Sequence, residues 1–535
     1  MVNRKSNDAI YLPVRVRTAD RSPCILSDKS DRYYTLNAIR YTLKKGSNKL
    51  SLRVYNTLTR KKEEFVPLEH KEVKAYVCGV TLYDELHLGH ARYAVVFDII
   101  RRYLEYKGYK VNYITNFTDI DDKMIARAQS LGVSISELAE KFIREYFAQM
   151  QQLGVKKANC HPRATEHIKE IIELIKKLED KGLAYSTEGD VFFRVKRFPS
   201  YGKLSHQNLE DILTGVRVEV DEKKENPFDF ALWKKSKENE PSWDSPWGKG
   251  RPGWHIECSA MAIRYLGENL DIHGGGKDLI FPHHENEIAQ SEGVTGKTFV
   301  RYWLHNGLVR MKNAKMAKST GNVLTLSHAL SNYKGEVVRY FLLSAHYRSP
   351  LDYSQNSLKK AFTSLKRIYN TLRKIEELEE EYKKGFLENS STPPVMIKAK
   401  ASELFNYSKE AEDKLAEALD DDFNVPIALS VIFELARKAN LLLNEKKHLD
   451  DSSFQILLKA HQKIKALGNI LGLLQGKEEN KLEGKEEQLI ELLVNARDTL
   501  REKKEWELAD KIRKGLDKLG IKLEDKEDRT AWRVN

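Results

Sequence analysis

Residues 75–115 read AYVCGVTLYDELHLGHARYAVVFDIIRRYLEYKGYKVNYIT, and their periodicity decides the fold. Ala75–Val80 is a short, nearly continuous apolar run, as a buried strand requires. It leads into a turn at Asp84–His90. Val95, Val96, Ile99, Ile100, Tyr103 and Leu104 then recur at helical spacing, one apolar stripe on one face. Gly108 stands where a left-handed residue ends such a helix. Val111–Thr115 is a second apolar strand. Strand, helix and strand within about 40 residues predict a βαβ unit on a parallel sheet.

Outward from this unit the pattern changes several times. The α/β rhythm covers residues 50–159, is interrupted over 160–245, and resumes over 246–308. The interruption holds a helix at Thr165–Lys181, a strand at Val191–Val195 and a Pro/Trp-rich loop at Pro241–Trp247, and reads as an inserted α/β domain. Residues 309–357 form a loop-rich joint. Helices follow at Leu358–Tyr382, Ile397–Leu419, Val425–Asn444 and Phe454–Leu474, so 358–474 reads as an all-α bundle. A charged linker opens a last module, 475–535, with helices at Gln488–Lys503 and Trp506–Leu519 and a tail ending in Trp532–Arg533. Residues 1–49 show no period and read as a disordered extension.

The composition excludes some classes. Of 535 residues, 41% are hydrophobic and 31% charged, as expected of a globular chain with sizeable cores. No stretch of about 18 apolar residues offers a membrane span, and the N-terminus lacks the apolar segment of a secretory signal. Four cysteines, scattered, do not make a disulfide scaffold. A cytoplasmic location with no membrane partner is the expectation. The net charge is +12, of which residues 1–49 supply seven. The remaining body is mildly basic, which permits a nucleic-acid partner without indicating one. Glutamine is scarce beside Lys and Glu, the bias of hyperthermophile proteins.

Three constellations carry chemistry. His87-Leu88-Gly89-His90 sits at a strand-to-helix turn, where free backbone N–H groups and the helix dipole favour phosphate. Gly89 lets a flat base or ribose approach, and the imidazoles can donate to phosphate oxygens. Lys315-Met316-Ala317-Lys318-Ser319 lies about 225 residues further on, two lysines in a loop able to close on a triphosphate. Cys78, Cys258, His283 and Glu287 are a plausible zinc set, with Pro282 at a helix start and His283 and Glu287 spaced i, i+4 on one face. His284 or His273 could take the place of His283 in that set. Neither GxGxxG nor a Walker A loop is present, which disfavours dinucleotide enzymes and P-loop NTPases.

The paired HLGH and KMAKS segments resemble the signatures of class I aminoacyl-tRNA synthetases. From about Leu50 onward the chain is similar to the cysteinyl-tRNA synthetases, on Tyr76–Asp84, Asn116–Asp122, Pro252–Met261, Asp271–Gln290 and Asp420–Pro426. The resemblance implies an α/β fold: a Rossmann-like parallel-sheet catalytic domain with an α/β insertion, then an all-α bundle and a small C-terminal module. It implies activation of L-cysteine by ATP, accompanied by Mg²⁺, release of pyrophosphate, and transfer of the cysteinyl group to the 3′ end of tRNA(Cys). His87, His90, Lys315 and Lys318 would be catalytic. Gly89, Gly276, Asp278 and Lys318 would hold ATP, and Thr118, Trp254 and His273 would line the cysteine pocket. Cys78, Cys258, His283 and Glu287 would bind one Zn²⁺ per chain, and that ion would take the substrate thiolate. The bundle and final module would bind the anticodon stem and loop, with Trp532 and Arg533 against an unstacked base. The chain would act as a monomer or a dimer. Two rivals are a cysteine-activating ligase with an amino-sugar acceptor and a non-catalytic paralogue that binds tRNA or senses cysteine. HLGH departs from the usual signature by an apolar swap, and Ala317 removes a serine hydroxyl from the lysine loop.

Overall fold

The computed structural model describes residues 51–208, 222–311, 314–315, 324–384, 394–476, 486–525 and 530–534. The extension read at 1–49 lies outside them, as do Ala317, Lys318 and Ser319. At the centre is a four-stranded parallel sheet, in the spatial order Val300–Asn306, Leu270–Gly276, Glu72–Thr81, Lys110–Thr118. The helix Leu88–Tyr106 joins the last two strands, completing the βαβ unit. Gly108 follows it with φ near +90°.

The period of two along Glu72–Thr81 sorts its side chains into two cores. Ala75 and Val77 belong to the same core as Val95, Val96 and Ile99 of the Leu88–Tyr106 helix. Tyr76 and Cys78 face the other way, into a core with Cys258, Met261 and Ala262 of the helix Trp254–Leu266. The alternation thus sends Cys78 toward Cys258. The two middle strands come from opposite sides of the insertion, Glu72–Thr81 before it and Leu270–Gly276 after it.

The helix Ile168–Asp180 packs on a four-stranded antiparallel sheet, Ala184–Thr187, Asp190–Phe193 and Phe230–Lys235 from the insertion, with Gly250–Pro252, which lies past the boundary read at residue 245 and pairs with Phe230–Lys235. Sequence reading found one strand here, and placed Val195 in it. Val195 instead begins a short 3₁₀ turn, Val195–Arg197. The strands are three to six residues long, and the hairpin Glu188-Gly189, both at positive φ, lacks an Asn-Gly signal.

Helices Gln355–Lys383, Val395–Asp420, Val425–Leu443 and Asp451–Ile470 form the bundle. Polar hubs dock it on the sheet domain. Buried Asp422 accepts hydrogen bonds from the Tyr55 N–H, the Tyr347 hydroxyl and Arg348 Nε, at 2.8, 2.8 and 2.6 Å. Arg339, fully buried, donates to Asp98 and to the carbonyls of Leu153, Gly154 and Leu471. The chain divides into two compact units after Gln475. The second holds helices Glu486–Glu502 and Trp506–Lys518. Where sequence reading saw only a tail, it also has an antiparallel hairpin, Ile521–Asp525 with Thr530–Val534. Its core is Val494, Leu516 and Leu523, with Trp532 packed against them. Among the described residues, no helix is long and apolar enough to cross a membrane.

Candidate active site

His87 is the N-cap of the Leu88–Tyr106 helix. Its Nδ1 accepts from the N–H groups of Gly89 and His90, at 3.1 and 3.3 Å, while His90 Nδ1 accepts from the His87 N–H. The two rings stack with centroids 3.7 Å apart. A side chain at residue 89 would meet His87 Cε1 at 2.8 Å, so anything larger than glycine must push the capping ring aside. The expectation of free N–H groups at this turn needs correction: His87 caps two of them, and the Leu88 N–H reaches the Leu324 carbonyl. A phosphate here therefore meets imidazoles and the helix dipole before it meets backbone.

The second signature is anchored to the first. Leu326 N–H donates to the Leu86 carbonyl, and Thr325 bridges His87. At the near end of the lysine loop, Ala314–Lys315 pairs antiparallel with Arg310–Met311. The described residues on either side of the lysine signature are thus both paired, those from Leu324 onward with the HLGH turn.

Cys78 lies at an irregularity in the strand pairing between Val77 and Val80. Such a bulge re-aims side chains. The Gly79 N–H turns to Asn116 Oδ1, at 2.9 Å. Cys78 Sγ is 3.6 Å from Cys258 Sγ, 3.4 Å from His283 Nε2 and 3.3 Å from Glu287 Oε1. His283 Nε2 is 3.1 Å from Glu287 Oε1. All four side chains are buried. Tetrahedral zinc, at about 2.3 Å from sulfur and about 2.0 Å from nitrogen or oxygen, spaces its ligands roughly 3.3 to 3.8 Å apart. The observed separations fit that cage to within about 0.3 Å.

The helix that carries Glu287 begins at Glu285 rather than at Pro282. Ile280–His284 forms a wider, π-type turn interrupted at Phe281. That turn brings His284 to the cluster beside His283: its Nε2 is 3.3 Å from Cys78 Sγ. Ligand atoms of Cys78, His283, His284 and Glu287 all lie within 4.8 Å of one another. His284 Nδ1 meets His305 Nε2 at 2.8 Å. His273 stands behind the cluster, fully buried against Trp303, its Nε2 2.8 Å from Glu287 Oε2. It reaches the site through Glu287.

The electrostatics are those of an anionic cage. Burial opposes its charge, yet Glu287 and Cys258 hold the His283 imidazole up to about 10. Burial likewise opposes ionisation of Glu287, and His273 and His283 hold it well below the usual carboxylate range. A hydrogen bond from Cys78 draws the Cys258 thiol down to about 6. His255 Nδ1 sits 2.9 Å from His283 Nδ1, which orients His283 with Nε2 toward the sulfurs.

The mouth of the site is aromatic. Trp254 is 40% exposed, and its indole lies 4.3 Å from the His283 ring. Thr118 is buried, with Asn116 Nδ2 donating to its hydroxyl at 3.4 Å. Gly276 ends its strand, with the Asp278 carboxylate folded over it. In the second unit, half-buried Trp532 pairs with Leu523 in the hairpin, and Arg533 pairs with Lys522. That unit's more open indole is Trp506, 57% exposed at the start of its helix.

Sequence reading did not single out His255, His305 or Asn116. The tandem His283-His284 and the His255 inside GWHIEC were the available signals. Their roles depend on a π-type turn and ring orientation, neither of which is readable as spacing.

Comparison with known proteins bears on all of this. Residues 64–363 match a family model described as the tRNA synthetases class I (C) catalytic domain, and residues 414–475 match the DALR domain. The chain is 50% identical over 484 residues to a cysteine–tRNA ligase of Thermococcus onnurineus, covering 90% of this chain and 99% of that one. It is 48% identical over 482 residues to a cysteine–tRNA ligase of Clostridioides difficile, covering 90% and 100%. Among solved structures, methionyl-tRNA synthetase of Mycobacterium tuberculosis with methionyl-adenylate aligns with a TM-score of 0.54 at 15% identity, over 75% of this chain and 89% of that one. A putative arginyl-tRNA synthetase of Campylobacter jejuni aligns with a TM-score of 0.52 at 13% identity, over 76% and 94%. These two likenesses speak for the fold alone.

Proposed function

The chain belongs to the cysteine–tRNA ligase family of class I aminoacyl-tRNA synthetases, and from that premise we propose that Cys78, Cys258, His283 and Glu287 hold a zinc ion that selects cysteine. The enzyme joins cysteine to tRNA at the expense of ATP. One observation carries the proposal: four donor atoms of the right chemistry, from three separate segments, are buried together, with Cys78 Sγ 3.3 to 3.6 Å from the other three and His283 Nε2 3.1 Å from Glu287 Oε1. When bound, zinc supplies a soft Lewis acid that takes a thiolate far better than a serine hydroxyl. Pocket size alone separates such close analogues only about 10–200-fold.

The chain's own residues do the rest. Trp254 covers the substrate beside His283, and Thr118 offers a hydroxyl near the cage. The Asp278 carboxylate accepts from the ribose hydroxyls of ATP, and Gly276 and Gly89 leave room for nucleotide. His87, His90, Lys315 and Lys318 donate to the phosphates, where charge builds as the cysteine carboxylate attacks the α-phosphate and pyrophosphate leaves. Mg²⁺ accompanies the ATP. The cysteinyl group then passes to the terminal adenosine of tRNA. In the second unit, the exposure of Trp506 favours it over Trp532 as the platform for an anticodon base. The site works in the cytoplasm.

The DALR domain and the bundle favour tRNA over an amino sugar as acceptor. The intact HLGH turn weighs against a non-catalytic paralogue. Amino-acid-dependent ATP–pyrophosphate exchange over all twenty amino acids, with zinc quantified in the same protein, tests the reading. Cysteine alone should drive exchange, at one zinc per chain. Brisk exchange by zinc-free protein would refute the metal's role.

A further inference from the structure

A cleft of about 510 Å³ opens on the first unit, lined by Lys62, Lys277, His346, Arg348, Ser349 and Asn424. Lys62 comes from the strand Lys61–Glu64, and Lys277 from the turn after Leu270–Gly276. His346 to Ser349 belong to the loop before the strand Leu351–Tyr353, and Asn424 caps the bundle helix Val425–Leu443. None of these residues is among those assigned above to the zinc cage or to ATP. Lys277 stands between Gly276 and Asp278, so the Michaelis constant for ATP is the measurement that separates the two sites. We propose that the cleft is a separate phosphate site that seats a stretch of the tRNA backbone. This rests on the reading that tRNA is the acceptor.

The charge balance asks for an anion. Lys62 pairs with Asp421 at 2.6 Å, and Arg348 with Asp422 at 2.6 Å. Among the described residues, no carboxylate pairs with Lys277. Partial burial and the nearby guanidinium groups of Arg348 and Arg92 hold its ammonium below the usual lysine range. Arg92, fully buried, donates to the carbonyls of Leu308, His346 and Ser349, at 3.0, 3.3 and 2.6 Å. Those bonds pin the loop that presents His346 and Arg348, and among the described residues no carboxylate pairs with the Arg92 guanidinium. Like charges gathered this way disfavour one another, and an incoming phosphate relieves them.

Size and position name the source. The volume suits a nucleotide-sized ligand, larger than a lone ion needs. The walls join the end of the catalytic sheet to the cap of a bundle helix, the course of a polymer bound along both.

The test compares the full-length parent with Lys277→Ala and Lys277→Glu. Lys277 is exposed, so both variants keep the fold. One phosphate contact contributes about 0.9 to the log–log salt slope, or about eightfold in affinity at 0.1 M relative to 1 M salt. Lys277→Ala should raise the Michaelis constant for tRNA in charging about eightfold at 0.1 M salt and lower the slope by about one. Lys277→Glu should raise it further. Cysteine-dependent pyrophosphate exchange should keep its Michaelis constant for ATP. Unchanged tRNA kinetics in both variants would overturn the proposal. So would a raised Michaelis constant for ATP with tRNA kinetics intact, which would give the cleft to the nucleotide. Failure of the parent itself to charge tRNA overturns the functional reading, and this proposal with it.

Discussion

Replacing Gly79 with alanine tests how tightly the strand geometry sets the zinc cage. A Cβ at residue 79 would lie 1.6 Å from the Asn116 carbonyl oxygen and 2.7 Å from its carbon, where ordinary contact begins at 3.4 Å. The two strands must therefore part by about 1.8 Å at this point. Parting them strains the Val77–Thr115 and Val80–Phe117 pairs on either side. With about 1 kcal/mol for each hydrogen bond lost and about 1–3 kcal/mol for overpacking, the cost is roughly 3 kcal/mol or more. The functional effect is larger, because Cys78 is the next residue. Metal–ligand distances tolerate about 0.2 Å, and a misplacement of about 1 Å costs on the order of 100-fold in rate. Gly79→Ala should thus lose zinc and lower cysteine-dependent exchange about 100-fold. Zinc content, a thermal melt and pyrophosphate exchange measure the three effects. Gly108→Ala is the control. It has open space around it at φ near +90°, so it should cost about 1–2 kcal/mol of stability and leave zinc and exchange alone. Full zinc and exchange within threefold of the parent in Gly79→Ala would refute the reasoning.

Cys258→Ser should lower zinc retention and cysteine activation together, as metal content and exchange rate will show. Normal exchange without metal would count against the cage. In the second unit, Trp506→Ala removes base stacking of about 1–3 kcal/mol, roughly 5–150-fold in tRNA affinity, with pyrophosphate exchange unchanged. Trp532→Ala should instead loosen the module, because that ring packs on Val494, Leu516 and Leu523; hydrogen exchange over 486–534 separates the two outcomes. The Arg497 hydrogen bond draws the Asp525 carboxyl from 3.8 to about 2. A depressed carboxylate stabilises the fold fully above its unfolded pKa, and that contribution is lost as pH falls through the folded value. Protection of 486–534 in the full chain should therefore drop between about pH 4 and pH 2. Arg497→Gln should flatten that part of the pH dependence.

The legible parts of the chain were those with a long period. The stripe from Val95 to Leu104 and the bundle helices repeat over many turns, and each occurs where the spacing put it. The hairpin that ends the chain was missed because Ile521–Asp525 reads IKLED, only two apolar residues among charges. Its structure rests on a cross-strand contact, Leu523 with Trp532, that a local pattern cannot display. In the site, Cys78, Cys258, His283 and Glu287 were proposed as a ligand set by type and by family resemblance, and the structure brings these four side chains together. The approach of His284 was not legible, because it follows from a π-type turn where spacing suggested a plain helix start. The capping of Gly89 and His90 by His87 escaped notice for a similar reason. The motif names the imidazole, and only its rotamer shows whether it faces the ligand or its own helix.

The order of strands in the central sheet bears on how a nascent chain survives its own synthesis. Cys78 leaves the ribosome 209 residues ahead of Glu287, with the whole insertion between them. At about 5–20 residues per second that is roughly 10–40 s. For most of that interval its neighbour strand Leu270–Gly276 does not yet exist, and Cys78 is an unprotected thiol on an open sheet edge. The insertion carries its own core and can fold while the edge waits. On the proposed assignment, zinc would enter late, once both halves of the sheet have met, and a chain released before residue 287 would offer the metal at most three of the four proposed ligands.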